Sequence, residues 1–227
     1  MTTRLFGKDF VPARRGFTGF TLVELLVALA IIGVLAALVI PTISKINAIR
    51  AINRTKTEFK EVESWIVEYK AKRGYYPPDN PGNAETNQLY FELSGTIFKN
   101  GFYQPLDGSA NVDSATLGAD FGNPNVNGFM NSMKEPRDEG MAAQKFIKEL
   151  RPGQVAELNS NLRILVGSVG WDMSLPNQPT SRPEVNPFRY ISTNPTHNPN
   201  SFDLWIDIYV QGKTLRSCNW SEEPISL

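Results

Sequence analysis

The chemistry of this sequence is concentrated at Glu24. It is the one charge in the twenty-one residues from Phe20 to Ile40, an otherwise apolar run that ends at Pro41. At 1.5 Å per residue such a helix is about 30 Å long, the thickness of a bilayer's hydrocarbon core. A charge at the centre of a spanning helix costs roughly 2.5–3.5 kcal/mol on insertion scales, so an intramembrane carboxylate marks function by default. Near the segment's end the cost is smaller, but the carboxylate still needs a partner. The chemistry on offer is charge pairing. The plainer alternative is a glutamate at a membrane edge that reaches back to water.

Other reactive groups are sparse. His197 is the only histidine and lies in an Asn/Pro-rich loop, so His-containing zinc clusters and Ser-His-Asp triads lack support. No glycine-rich phosphate loop is present. The stretch from Asp107 to Asp113 has oxygen ligands but neither the spacing nor the terminal glutamate of an EF-hand, and reads as a turn. Cys218 is the only cysteine, which excludes an intrachain disulfide and favours a small packed residue over a reactive thiol.

Around Glu24 the sequence resembles a family. Gly19 directly before Phe20, Glu24 as the fifth residue from Phe20, Arg14 and Arg15 upstream, the apolar run and Pro41 together are similar to the prepilin signature of type IV pilins and pseudopilins. The resemblance implies that a membrane prepilin peptidase cuts between Gly19 and Phe20 on the cytoplasmic side and N-methylates the new Phe20 amine. It implies that the helix stays on the protein as the core of a filament, with Gly33 and Pro41 where such helices carry a glycine and a proline. Cleavage would place an ammonium at Phe20 beside a helix N-terminus that disfavours it. Glu24 of an adjacent subunit would supply the anion, and pairing two groups costly in lipid would favour one axial register.

Charge and compartment fit this reading. The chain has 23 basic and 23 acidic residues. Loss of residues 1–19 removes Arg4, Lys8, Arg14 and Arg15 against Asp9, leaving a mature net charge of −3. A general nucleic-acid binder would show a basic excess or stripe, so no direct nucleic-acid contact is expected. The basic leader sets the C-terminal region on the extracytoplasmic side. A rival reading takes Val34-Leu35-Ala36 as a signal-peptidase site releasing a soluble domain that begins at Ala37. Against it, the apolar run exceeds the usual 7–15 residues of a signal peptide and would place Glu24 inside it.

The elements that carry these residues follow from the pattern. Residues 1–19 are a leader, 20–41 the transmembrane and assembly helix, and 42–74 its amphipathic continuation. In that continuation Ile52, Phe59, Val62, Ile66 and Tyr69 recur at three-and-four spacing. Pro41 should bend the helix. Gly74 is a C-cap and Pro77-Pro78 prevents continuation. Residues 75–227 form an extracytoplasmic domain. Its insert, 79–161, reads as long and irregular, with a short helix at Leu89–Leu93 and another at Glu139–Leu150. A C-terminal sheet spans 162–219, with strands at Leu162–Val169, Phe188–Ser192 and Phe202–Val210. A Gln211-Gly212 turn then leads into Lys213–Asn219. The fold class is α+β: a long N-terminal helix packed on a small antiparallel sheet.

The Gly74-Tyr75-Tyr76-Pro77 stop resembles the end of the long helix in major pseudopilins of type II secretion systems, although the 79–161 insert is longer than in those proteins. The resemblance implies a non-enzymatic subunit of an inner-membrane-anchored pseudopilus with its domain in the periplasm. Its partners would be other copies and other pseudopilins, an assembly platform and a cytoplasmic ATPase. Major pseudopilins are similar in carrying calcium at a C-terminal loop. Here the matching Val210–Lys213 segment has no carboxylate, and the nearest ligands, Asp203 and Asp207, fall on the outer face of the strand, where solvated acids are the default. Two alternatives stay open: a type IV pilus or DNA-uptake subunit, and a signal-anchored periplasmic binding domain or enzyme.

Overall fold

The computed structural model describes residues 19–134, 142–159 and 162–227, and for helix residues 38–42 the backbone alone. The leader before Gly19 and the side-chain surroundings of Pro41 lie outside the described residues. The fold is mixed α+β, as expected. Helix α1 spans Leu22–Arg73, and the chain divides into two units, Met1–Ser44 and Lys45–Leu227.

In the first unit, among the described residues, nothing covers the apolar run up to Ala37. The large apolar side chains from Phe20 to Leu35 are 53–78% exposed. Such a continuous apolar surface on a soluble monomer would mark an interface.

In the second unit α1 buries the stripe anticipated from spacing: Phe59, Val62, Ile66 and Tyr69 are all at most 2% exposed, while Ile52 is half-buried. Trp65, Thr55 and Glu58 are buried beside them. Glu58 is held by Arg54 one helical turn away and by Ser168, whose backbone N–H donates to it at 3.0 Å. The helix stops at Gly74, where φ is +86°; its N–H donates to Lys70 O at 2.9 Å, and Lys70 Nζ donates to Gly74 O at 2.6 Å. Val62→Asp should therefore cost about 4 kcal/mol, a charge buried without a partner. The check is the urea unfolding midpoint of the full chain in detergent, and an unchanged midpoint would contradict the packing.

The region 79–161 is far more ordered than its composition indicates. Helix α2 (Leu89–Ser94) is buried throughout, as the expected short helix. It is followed by β1 (Thr96–Lys99), β2 (Phe102–Pro105), β3 (Val112–Asp113), the single turn α3 (Leu117–Asp120) and β4 (Ser132–Lys134). These strands form a mixed sheet ordered β3-β2-β1-β4, in which β1 and β4 run parallel. Asn100 and Gly101, at φ 51° and 85°, make the two-residue turn between β1 and β2. The expectation of an irregular excursion is thus corrected. The expected helix over Glu139–Leu150 is corrected too: residues 142–150 are not helical, and 139–141 lie outside the described residues. The N–H groups of Phe146 and Ile147 donate to Leu93 O instead of to their own chain four residues back.

One charge sits inside this core. Glu92, on α2, is fully buried and accepts Met130 N–H at 2.7 Å, Asn131 N–H at 2.9 Å and the Tyr69 hydroxyl at 2.8 Å. Burial pushes its carboxyl above the usual range, against the pull of these donors and of Arg73. Arg73 itself donates to Asn131 and to Ala142 O.

A hairpin of β5 (Val155–Asn159) and β6 (Leu162–Leu165) precedes the C-terminal sheet. That sheet comprises β7 (Arg189–Ile191), β8 (Asp203–Val210), β9 (Lys213–Cys218) and β10 (Ile225–Ser226), all antiparallel in the order β10-β9-β8-β7. Its Gln211-Gly212 turn has positive φ at both residues, as expected for a two-residue hairpin. Leu204 and Ile206 of β8 and Tyr190 of β7 join the core.

Candidate functional site

Glu24 stands in the first turn of α1, and Thr21, just before the helix, shapes its environment. Thr21 N–H and Oγ1–H both donate to Glu24 Oε2, at 2.9 and 2.8 Å, while Glu24 N–H donates to Thr21 Oγ1 at 3.2 Å. This reciprocal arrangement is a capping box, and it satisfies donors that a helix start leaves orphaned. The Thr-x-x-Glu spacing was visible in the sequence and is the signal that reasoning about charge pairing passed over. The box engages Oε2, and among the described residues no hydrogen bond reaches Oε1, so one oxygen of an exposed carboxylate remains for an external cation.

Gly19 and Gly33 have nothing within 4 Å of where a Cβ would stand. Gly33 is helical without a positive φ, so no packing or backbone requirement within its own unit explains it. Glycine costs a helix about 1 kcal/mol relative to alanine. Phe20 is 78% exposed.

The two acids of β8 are not solvated. Both are buried: Asp203 is 1% and Asp207 5% exposed. Asp203 accepts the backbone N–H groups of Thr196, His197 and Asn198 at 2.9–3.0 Å, with His197 Nδ1 at 3.1 Å. Asp207 forms a two-pronged pair with Arg216, Nε at 2.8 Å and Nη2 at 2.9 Å, with Arg189 at 3.9 Å. The expectation of solvated outer-face acids fails because a loop and two arginines cover that face. Four residues apart on an extended strand, the carboxylates are about 13 Å from each other and share no ligand position. Among the described residues no group of three His, Cys, Asp or Glu side chains could hold a metal ion. His197 stacks on Trp220 at 3.8 Å, and Cys218 is buried, its thiol pushed up by that burial.

These positions make the N-terminal segment, with its uncovered apolar surface and half-engaged carboxylate, the candidate site. The family model described as the prokaryotic N-terminal methylation motif matches residues 13–40. This signal supports a type IV pilin-like protein. No curated protein and no solved structure matches the chain. Type IV pilin-like proteins are structural subunits, and the motif implies prepilin peptidase processing followed by assembly. It points to a membrane-anchored protein, although among the described residues no helix is long and apolar enough to cross a membrane. The side chains at 38–40 that complete the apolar run lie outside the described residues.

Proposed function

We propose that the protein is a pseudopilin, a structural subunit of an inner-membrane-anchored helical pseudopilus that drives type II protein secretion. The observation that carries this reading is the exposed apolar helix start bearing Glu24, inside the matched methylation motif. The peptidase would cut after Gly19 and methylate Phe20. Neighbouring subunits would then bury their Phe20–Ile40 surfaces against one another, with Gly33 admitting close backbone approach. Glu24 Oε1 would meet the Phe20 ammonium of the next copy. The tyrosine-rich helix stop at Gly74–Pro77 supports a secretion-system subunit over a pilus subunit. The mature charge of −3 speaks against direct DNA binding. An assembly platform and a cytoplasmic ATPase would extract the subunit from the inner membrane, with the Lys45–Leu227 unit in the periplasm.

The mature N-terminus tests the reading. Intact mass and N-terminal fragmentation should show a chain beginning at Phe20 with one added methyl group. Gly19→Leu should leave full-length precursor in the membrane. A mature chain beginning at Ala37 would make this a signal-peptidase substrate and end the filament assignment.

A further inference from the structure

The segment joining β7 to β8 is fastened at both ends by buried carboxylates. Asp79 accepts Ser192 N–H and Thr193 N–H at 3.0 Å each and the Thr193 hydroxyl at 2.7 Å. Asp203 gathers the N–H groups of residues 196–198 at the other end. Within the segment Pro195 and Pro199 fix two further φ angles. Asn194 and Asn200 hold left-handed φ of 55° and 67°. A loop constrained in this way has little freedom left to lose on binding a ligand.

Against this loop lies an open cavity of about 480 Å³, within the roughly 300–1,000 Å³ of small-molecule sites. Its polar lining is Tyr76, Ser192, Asn194, Asn200 and Ser201, and its apolar lining is the two prolines and the tyrosine ring. No carboxylate, ammonium or guanidinium lines it. Ser192 Oγ donates to Pro77 O at 2.9 Å and Ser201 Oγ donates to Tyr76 OH at 3.2 Å, so the Tyr76 hydroxyl keeps its own proton to give. Among the described residues the Asn194 and Asn200 amides have no hydrogen-bond partner, and each offers two donors and an acceptor. The Lys70 ammonium lies over the Tyr76 ring at 5.0 Å but already donates to Gly74 O at 2.6 Å, so a charged ligand would shed water here without gaining an uncommitted counter-charge. A ligand of adjacent hydroxyls, each both donor and acceptor, matches the amides and hydroxyls, while its C–H face suits the proline and tyrosine rings.

We propose that this cavity binds a neutral saccharide. The inference rests on the domain alone and holds whatever the chain assembles into. The full chain, purified in a detergent without a sugar headgroup, is titrated with glucose, galactose, N-acetylglucosamine and their disaccharides by saturation-transfer NMR and calorimetry. Glucuronic acid, glucosamine and a serine-glycine tripeptide serve as comparators. At least one neutral sugar should bind saturably, and the double variant N194G/N200G should bind it at least about tenfold more weakly. Glycine accepts left-handed φ, so this variant should keep the wild-type unfolding transition. Tyr76→Phe should weaken the same sugar several-fold and carries the test if the double variant fails to fold. Absence of saturable binding by every neutral sugar overturns the proposal, as does preference for a charged or peptide probe, or unaltered affinity in the variants.

Discussion

Glu92→Gln is expected to destabilise the Lys45–Leu227 unit by about 3 kcal/mol, and Glu92→Leu by about 5 kcal/mol. The carboxylate receives three donors and is fully buried, so each oxygen is already committed as an acceptor. Glutamine has nearly the same shape but only one acceptor, and its NH₂ must face either the Met130 N–H or the Asn131 N–H together with the Tyr69 hydroxyl. Leucine strands all three donors. Burial keeps the Tyr69 hydroxyl protonated well beyond the ordinary tyrosine range, so it stays a donor at any accessible pH. Tyr69→Phe, which removes one donor and leaves the carboxylate its backbone partners, should cost only about 1 kcal/mol. For a unit of this size the glutamine variant should melt roughly 10 °C lower. Near wild-type urea midpoints for Glu92→Gln would show that the buried carboxylate is not what orders this core.

On the proposed filament reading, Glu24→Ala should abolish incorporation into filaments while leaving membrane insertion and cleavage after Gly19 intact. Loss of a charge from an apolar segment makes insertion easier, if anything. The capping box supplies a way to separate two roles of this side chain. Glu24→Gln can keep the box, since glutamine serves at that position, but removes the charge. Thr21→Ala breaks the box at about 1 kcal/mol and keeps the charge. If the charge pairs with a neighbour's Phe20 amine, Glu24→Gln should fail like alanine and Thr21→Ala should assemble. Coexpressed wild type should lessen the defect by supplying carboxylates. Fractionation, N-terminal mass and the yield of sheared filaments are the measurements. Wild-type filament yield from Glu24→Gln would remove the intersubunit charge pair and leave helix capping as the function of Glu24.

The legible parts of this chain were those whose signal is local. A lone glutamate in twenty-one residues, the Gly74 stop, and the alternation of β8 into Gln211-Gly212 each state their structure within a few residues. The region 79–161 did not, because its strands are two to five residues long and too short for a periodicity to register. Asn100-Gly101 was nevertheless a readable hairpin signal. Residues 142–150 mimic helical spacing, but Leu93 O takes the N–H groups of Phe146 and Ile147 and Asn131 Oδ1 takes that of Gln144, and a sequence does not display those partners. Asp203 and Asp207 were assigned correctly to one face of β8. What covers that face comes from residues 196–198, Arg189 and Arg216, so their burial was a tertiary fact. Within the candidate site, Glu24, Gly19 and Phe20 were legible, and the cavity beside Tyr76 was not, since it depends on a loop shaped by Asp79 more than a hundred residues away.

Cys218 bears on how the proposed assembly can be studied in place. It is the chain's only sulfhydryl, packed against the end of the C-terminal sheet. Its raised pKa leaves little thiolate at neutral pH, and its burial keeps labelling reagents away. Toward maleimides and other thiol-selective reagents the folded chain is therefore silent without any engineering. A single thiol introduced along the uncovered face of α1 would react alone, and a bridged pair of such thiols would report one subunit's distance from the next against a blank background.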